Sequence, residues 1–124
     1  MKVSKAGVAG IVIVLILIGI VIAFAIPKTP SGNYDVFAQC ISTAGAKMYG
    51  AFWCSHCQAQ KESFGASWQH VNYIECSTPD GQSQLPICST ANIAGYPTWV
   101  FADGSRIEGE ASFAQLAAKT GCTL

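Results

Sequence analysis

The chain has 124 residues, enough for one domain with its own hydrophobic core beside a single strongly apolar segment. Seven basic and seven acidic residues cancel, and no basic stripe occurs, so nucleic-acid binding lacks an electrostatic basis. The low charge and a hydrophobic fraction of 51% argue against a disordered chain.

The first predicted element is the uncharged apolar segment at residues 6–26. As a helix it would be about 31 Å long, close to the ~30 Å hydrocarbon core of a bilayer. Lys2 and Lys5 precede the segment and Lys28 follows it, so the positive-inside rule predicts a cytoplasmic N-terminus at residues 1–5. We therefore predict a single-pass membrane protein whose domain lies on the extracytoplasmic side.

A cleavable signal peptide is the alternative, because residues 23–25 read AFA, which fits a cleavage motif. The apolar run exceeds the about 7–15 residues of a signal-peptide core, which favours a retained anchor. Both alternatives leave the domain on the same side of the membrane. A linker at residues 27–33, with Pro27 and Pro30, is predicted to lead into a folded domain at residues 34–124.

The rest of the chain alternates between helical and extended patterns. Helices are predicted at residues 34–43, 57–68, 87–94 and 111–120, and strands at 47–53, 71–76, 98–102 and 105–108. Asp103-Gly104 is typical of a hairpin turn, and Gly121 suits the end of the last helix. This order indicates a layered α/β or α+β fold with helices on the faces of a sheet. Five aromatic residues are expected in its core: Phe52, Phe64, Trp68, Trp99 and Phe101.

All six cysteines lie outside the apolar segment, at positions 40, 54, 57, 76, 88 and 122. An even count in an extracytoplasmic domain predicts disulfides, but six thiols allow about 15 pairings. Cys54 and Cys57 have the C-x-x-C spacing that can close on itself at the start of a helix. That leaves three ways to connect the other four cysteines.

The Cys54-Ser55-His56-Cys57 segment is predicted to be a redox motif. A strand that leads into a helix would place Cys54 before the helix and Cys57 in its first turn, where unpaired N–H groups and the helix dipole favour a thiolate. Cys54 would then be the attacking thiol and Cys57 the buried resolving thiol. His56 could add positive charge or a hydrogen bond near Cys54 and make the disulfide a stronger oxidant.

Two other interpretations of C-x-x-C remain, an inert structural bridge and half of a zinc site. A zinc site needs a second ligand pair. Cys76 and Cys88 are twelve positions apart and His70 stands alone, so no metal site is predicted.

Two motifs resemble those of the thioredoxin superfamily. Residues 51–57 (AFWCSHC) look like its W-C-x-x-C segment, and residues 93–98 (IAGYPT) look like its G-x-P-T loop. The similarity is closest to the thioredoxin-like domain associated with vitamin K epoxide reductase homologues. Relatives of that kind share the features seen here in residues 57–61 (CQAQK), 73–76 (YIEC) and 95–99 (GYPTW), with a further cysteine between the last two, here Cys88.

The resemblance implies a thioredoxin-like α/β fold, with a central mixed sheet flanked by helices. It also implies that Pro97 is cis and lies against the cysteine pair, and that the backbone of Tyr96 pairs with a substrate peptide. Trp53 borders the nucleophile and could form a contact platform for substrates. Met48 departs from the pattern, since thioredoxins usually bury an acid at that position to help deprotonate the resolving thiol.

The remaining cysteines are expected to pair as Cys76–Cys88 and Cys40–Cys122. A turn-rich loop allows the first pair to meet, and relatives carry the same extra pair. The second pair would tie together the two ends of the domain. Cys76–Cys88 is either structural or an electron relay to the redox pair.

These features predict a membrane-anchored thiol-disulfide oxidoreductase that acts on protein thiols and disulfides and needs no metal or organic cofactor. A membrane quinone-linked partner, similar to vitamin K epoxide reductase, would restore its disulfide. The alternatives are a reductase supplied with electrons, and a non-catalytic membrane-tethered binding module.

Overall fold

The computed structural model describes residues 5–25 and 32–124, which belong to two separate units. The described part of the first unit is one helix, α1 (Lys5–Ala25). Among the described residues, no helix combines the length and apolar character needed to cross a membrane. The anchor at residues 6–26 therefore stays a prediction. Residues 1–4 of the predicted cytoplasmic end, and residues 26–31 of the anchor and linker, lie outside the described residues.

The second unit is built on a mixed sheet of four strands within residues 32–124, in the order β2-β1-β3-β4. The strands are β1 (Lys47–Gly50), β2 (Tyr73–Glu75), β3 (Thr98–Val100) and β4 (Arg106–Glu108). Strand β1 is parallel to β2 and antiparallel to β3, and β4 pairs antiparallel with β3. The prediction of an α/β fold with a mixed sheet flanked by helices is confirmed.

Four helices accompany this sheet: α2 (Asp35–Thr43), α3 (Ser55–Phe64), α4 (Pro86–Thr90) and α5 (Phe113–Thr120). Helix α5 begins with a capping box, in which the Ser112 hydroxyl accepts from the Gln115 N–H and the Gln115 side chain accepts from the Ser112 N–H. It ends at Gly121, whose φ of 74° closes the helix in the left-handed conformation, as predicted.

Several predicted boundaries differ from the structure. The helix predicted at residues 57–68 starts two residues earlier and ends at Phe64, because Gly65 leaves the helical region with a φ of 55°. A 3-10 helix (Gly65–His70) follows it. The strand predicted at residues 47–53 stops at Gly50, since the chain turns there towards α3.

The main core lies where α2, α3 and α5 pack on the sheet, around Phe37, Ile41, Phe64, Trp99 and Leu116. A smaller cluster contains Tyr49, Cys76, Cys88 and Ile93. Four of the five expected core aromatics contribute to the main core. Phe52 does not: it is exposed, because it lies in the turn between β1 and α3 instead of in a strand.

Two disulfides cross-link the second unit. Cys40 in α2 is bonded to Cys122, after α5, across a sequence separation of 82 residues. Cys76, which follows β2, is bonded to Cys88 in α4 across 12 residues. These are the pairings expected from the sequence.

Candidate functional site

Cys54 lies at the junction of a tight turn and α3. Its N–H donates to the Ala51 carbonyl, 3.0 Å away, and its side chain is the N-cap of α3. The Cys54 Sγ accepts a hydrogen bond from the Cys57 N–H at 3.2 Å. The helix therefore begins by directing an N–H group at the Cys54 sulfur.

Cys54 faces a shallow surface groove. Trp53, His56, Gly95 and Tyr96 are among the residues that line it. Only 7% of Cys54 is exposed. Any molecule that reacts with Cys54 must therefore enter this groove.

The groove walls are held by side chains from a distant loop, residues 77–85. Trp53 is half exposed, and its indole N–H donates to the Ser77 hydroxyl at 2.9 Å. The Tyr96 ring lies edge-on to the Trp53 ring, with 5.9 Å between centroids. The Tyr96 hydroxyl accepts from the Gln84 amide at 2.8 Å. Two aromatic side chains are thus fixed beside Cys54.

The Tyr96–Pro97 peptide bond is cis, as the resemblance implies, and Pro97 is buried. The Cys54 thiol donates to the Tyr96 carbonyl at 3.6 Å, which brings this loop against the cysteine pair.

Cys57 differs from Cys54 in being completely buried. Its thiol is free, as is that of Cys54. Burial, followed by the hydrogen bond with Cys54, raises the pKa of Cys57 to about 12, while the positive charge of Lys61 acts in the opposite direction. Met48, at the position where thioredoxins usually have an acid, is buried and brings no ionisable group.

His56 has a partner that the sequence analysis did not identify. Its Nδ1 lies 2.7 Å from Oε1 of Glu110, and both side chains are largely exposed. His56 therefore lines the groove with Cys54 while its ring is held by Glu110. The two residues are 54 positions apart, so no local pattern pointed to the pair.

Gln60 is a second residue whose role the sequence did not predict. It is buried on α3, and its Oε1 accepts from the Trp99 indole at 3.2 Å and from the Ala111 N–H at 2.7 Å. Its Nε2 donates to the Ala111 carbonyl at 3.1 Å. The available signal was its spacing from Cys57 and Phe64, which puts all three on the buried face of α3. Gln60 fixes the helix that carries Cys57 to strand β3.

No cluster of three or more His, Cys, Asp or Glu side chains in the described parts of the chain is arranged to hold a metal ion. His70 instead lies 3.6 Å from Asp35.

No protein-family model matches the chain. Over 103 residues it is 47% identical to Thiol-disulfide oxidoreductase LTO1, a protein of Arabidopsis thaliana. The aligned region covers 78% of this chain and 27% of that protein. The chain thus spans about a quarter of the length of this curated relative. The homology confirms the family resemblance identified from the sequence motifs.

Proposed function

We propose, on the premise that this chain belongs to the thioredoxin-like thiol-disulfide oxidoreductases, that it exchanges disulfides with extracytoplasmic proteins through Cys54 and Cys57. The observation that carries this proposal is the asymmetry of the pair. One free thiol caps a helix and lines the groove, with 7% of its residue exposed, and the other free thiol is completely buried. Thiol-disulfide exchange requires one accessible sulfur and one that resolves the intermediate.

In the oxidising direction, a substrate thiolate attacks Sγ of Cys54 in the Cys54–Cys57 disulfide. The bond between the two cysteines breaks, and Cys57 leaves as a thiolate. A second substrate thiolate then attacks the substrate sulfur of the mixed disulfide, and Cys54 leaves. The substrate loses two electrons as its disulfide forms, and the Cys54–Cys57 pair gains them. Reduction of a substrate follows the same steps in reverse.

The groove supports a peptide as the substrate. Trp53 offers a half-exposed ring beside Cys54, and the backbone of Tyr96 borders the same space. An extended peptide could pair with the Tyr96 backbone while its cysteine reaches Cys54. His56, held by Glu110, would add a charged or polar group at the groove edge.

Oxidative folding is the direction we favour. The two further disulfides support this direction, because disulfides persist in oxidising compartments, where substrate proteins also acquire them. The proposal includes the anchor at residues 6–26, a domain at residues 34–124 on the outer side, and reoxidation by a membrane quinone-linked partner. In this proposal the Cys76–Cys88 disulfide has a structural role.

The test is to trap the intermediate in intact cells. Cys57→Ala should accumulate mixed disulfides between Cys54 and substrate proteins, because the resolving thiol is gone. A membrane-impermeant maleimide should label Cys54 of the reduced protein from outside. Mixed disulfides are separated by non-reducing electrophoresis.

The control is Cys54→Ala, which should trap nothing. Trapping by Cys54→Ala instead of Cys57→Ala would mean that Cys57 is the attacking thiol and Cys54 the resolving thiol. A failure of both variants to trap any protein would refute the exchange reaction, and a maleimide that reaches Cys54 only after lysis would refute the orientation.

A further inference from the structure

We propose that Lys61, held against the ring of Tyr73, is a positioning residue that stabilises the Cys57 thiolate. This inference rests on the proposed exchange reaction and adds a third group to it. It starts from a chemical difficulty: Cys57 must become a thiolate, yet it is completely buried and the neighbouring Met48 has no charge to offer.

The helix geometry brings Lys61 to the same side as Cys57. The two residues are four positions apart in α3, so their side chains are neighbours on one face of the helix. Lys61 is partly buried, which strengthens its electrostatic effect relative to a fully solvated lysine.

Gly50 at the end of β1 lies beside both the Cys57 sulfur and the Tyr73 ring. A Cβ atom placed on Gly50 would lie 3.0 Å from the Cys57 Sγ and 2.9 Å from a ring carbon of Tyr73, so the sulfur and the ring are close to the same glycine. The Lys61 Nζ lies 4.1 Å from the centroid of the Tyr73 ring. This cation–π contact holds the positive charge next to the ring that borders Cys57.

Glu75 holds the Tyr73 ring in place. Its Oε2 accepts from the Tyr73 hydroxyl at 2.7 Å, and its Oε1 accepts from the N–H groups of Ser77 and Phe52 at 2.9 and 3.2 Å. The carboxylate is thus engaged with neutral donors. Among the described residues, both ion pairs are formed by histidines, so neither neutralises Lys61.

The electrostatic effect has the expected sign. Burial is the main cause that raises the pKa of Cys57, while a backbone hydrogen bond with Ala51 and, to a smaller extent, the charge of Lys61 lower it. The other ionisable groups around this position are Cys54, Tyr73 and Glu75, and burial raises the pKa of Tyr73 as well. Tyr73 therefore stays neutral, which leaves Lys61 as the positive charge that favours the thiolate.

Cys57 becomes a thiolate once in either direction of exchange. It is the leaving group when a substrate thiolate opens the Cys54–Cys57 disulfide. It is the attacking group when it displaces a substrate thiolate from Cys54. Stabilisation of this one species therefore matters whichever way electrons flow.

The test follows both steps with dithiodipyridine, an uncharged aromatic disulfide, and full-length protein in which only the Cys54–Cys57 pair is reduced. Cys54 attacks first and releases one coloured thiopyridone. Cys57 then forms its bond to Cys54 and releases the second. Stopped-flow absorbance measures the two phases separately over a range of pH.

We expect Lys61→Gln to leave the first phase nearly unchanged and to slow the second by about three- to tenfold at neutral pH. The pH profile of the second phase should move to higher pH, and Lys61→Arg should restore it. The matched control is Lys119→Gln, which removes a similar ammonium contact over the ring of Phe101 on another part of the domain.

An unchanged second phase in Lys61→Gln would overturn the proposal. So would equal slowing of both phases, or a failure of Lys61→Arg to restore the rate, since either would indicate a packing effect. Because the probe is not a protein, these outcomes are independent of the trapping experiment. Loss of trapping by Cys57→Ala would refute the exchange with proteins, while the two phases would still report on Lys61.

Discussion

The two disulfides constrain the molecule in different ways. Cys40–Cys122 joins α2 to the chain beyond α5 and encloses most of the second unit. Cys76–Cys88 closes one short loop between β2 and α4. The first bridge restricts the conformations of nearly the whole unfolded domain, whereas the second restricts only one short segment.

The difference matters because only the short bridge borders the candidate site. Its loop contains Ser77, which accepts from Trp53, and Gln84, which donates to Tyr96. The long bridge lies among elements that pack the core. One bridge is therefore expected to determine stability, and the other to determine both stability and the shape of the groove.

The largest effect on stability is expected from breaking the long bridge. Cys40→Ala with Cys122→Ala should lower the free energy of unfolding by about 4–5 kcal/mol, because the unfolded chain regains the entropy of a very long loop. Urea unfolding followed by fluorescence measures this loss. The folded fraction should still react with dithiodipyridine at the rate of the unmodified protein. A slower reaction would show that the long bridge also shapes the site.

Breaking the short bridge should lower the free energy of unfolding by about 3 kcal/mol. The loss is smaller than for the long bridge, because the closed loop is shorter. Cys76→Ala with Cys88→Ala should in addition weaken peptide binding, because Ser77 and Gln84 lose their fixed positions. The readout is KM for a cysteine-containing peptide beside the same urea titration. An unchanged KM would show that the loop does not determine peptide binding in the groove. Loss of reoxidation by the membrane partner with an unchanged KM would favour the electron relay.

The smallest effect is expected from one hydrogen bond of that loop. Ser77→Ala removes the hydroxyl that accepts from the Trp53 indole N–H. It should lower the free energy of unfolding by about 1 kcal/mol or less, because the indole N–H can donate to water instead. KM for the peptide should rise by about two- to fivefold. Ser89→Ala, which removes a hydroxyl bonded to the Pro86 carbonyl in α4, is the control. An equal effect of both variants would assign the change to the helix and not to Trp53.

The sequence was sufficient for features that depend on neighbouring residues. The alternation of helices and strands, the hairpin at Asp103-Gly104 and the cap at Gly121 all follow from local patterns, and the structure has them. Element boundaries follow less closely. The apolar neighbours of Phe52 predict a strand there, whereas the chain turns at that point to begin α3.

Features that join distant residues could not be predicted in this way. Glu110 contacts His56 across 54 positions, and Gln60 reaches Ala111 across 51. Lys61 belongs to the motif at residues 57–61, but the motif gave it no role, since a lysine on a helix usually faces solvent. Its contact with Tyr73 depends on how β2 lies beside β1, where Met48 is paired with Tyr73.

In the proposed exchange reaction, the side chain that caps α3 also carries the reacting atom. The Cys54 sulfur that accepts the Cys57 N–H is a thiolate, a thiol or half of a disulfide at different stages of exchange, and a charged acceptor forms the strongest of these hydrogen bonds. If Cys54 reacts as proposed, the first turn of the helix is tightened and loosened once in every reaction cycle. The backbone amide of Cys57 becomes a built-in reporter, whose hydrogen-exchange rate and NMR chemical shift follow the oxidation state without any added label.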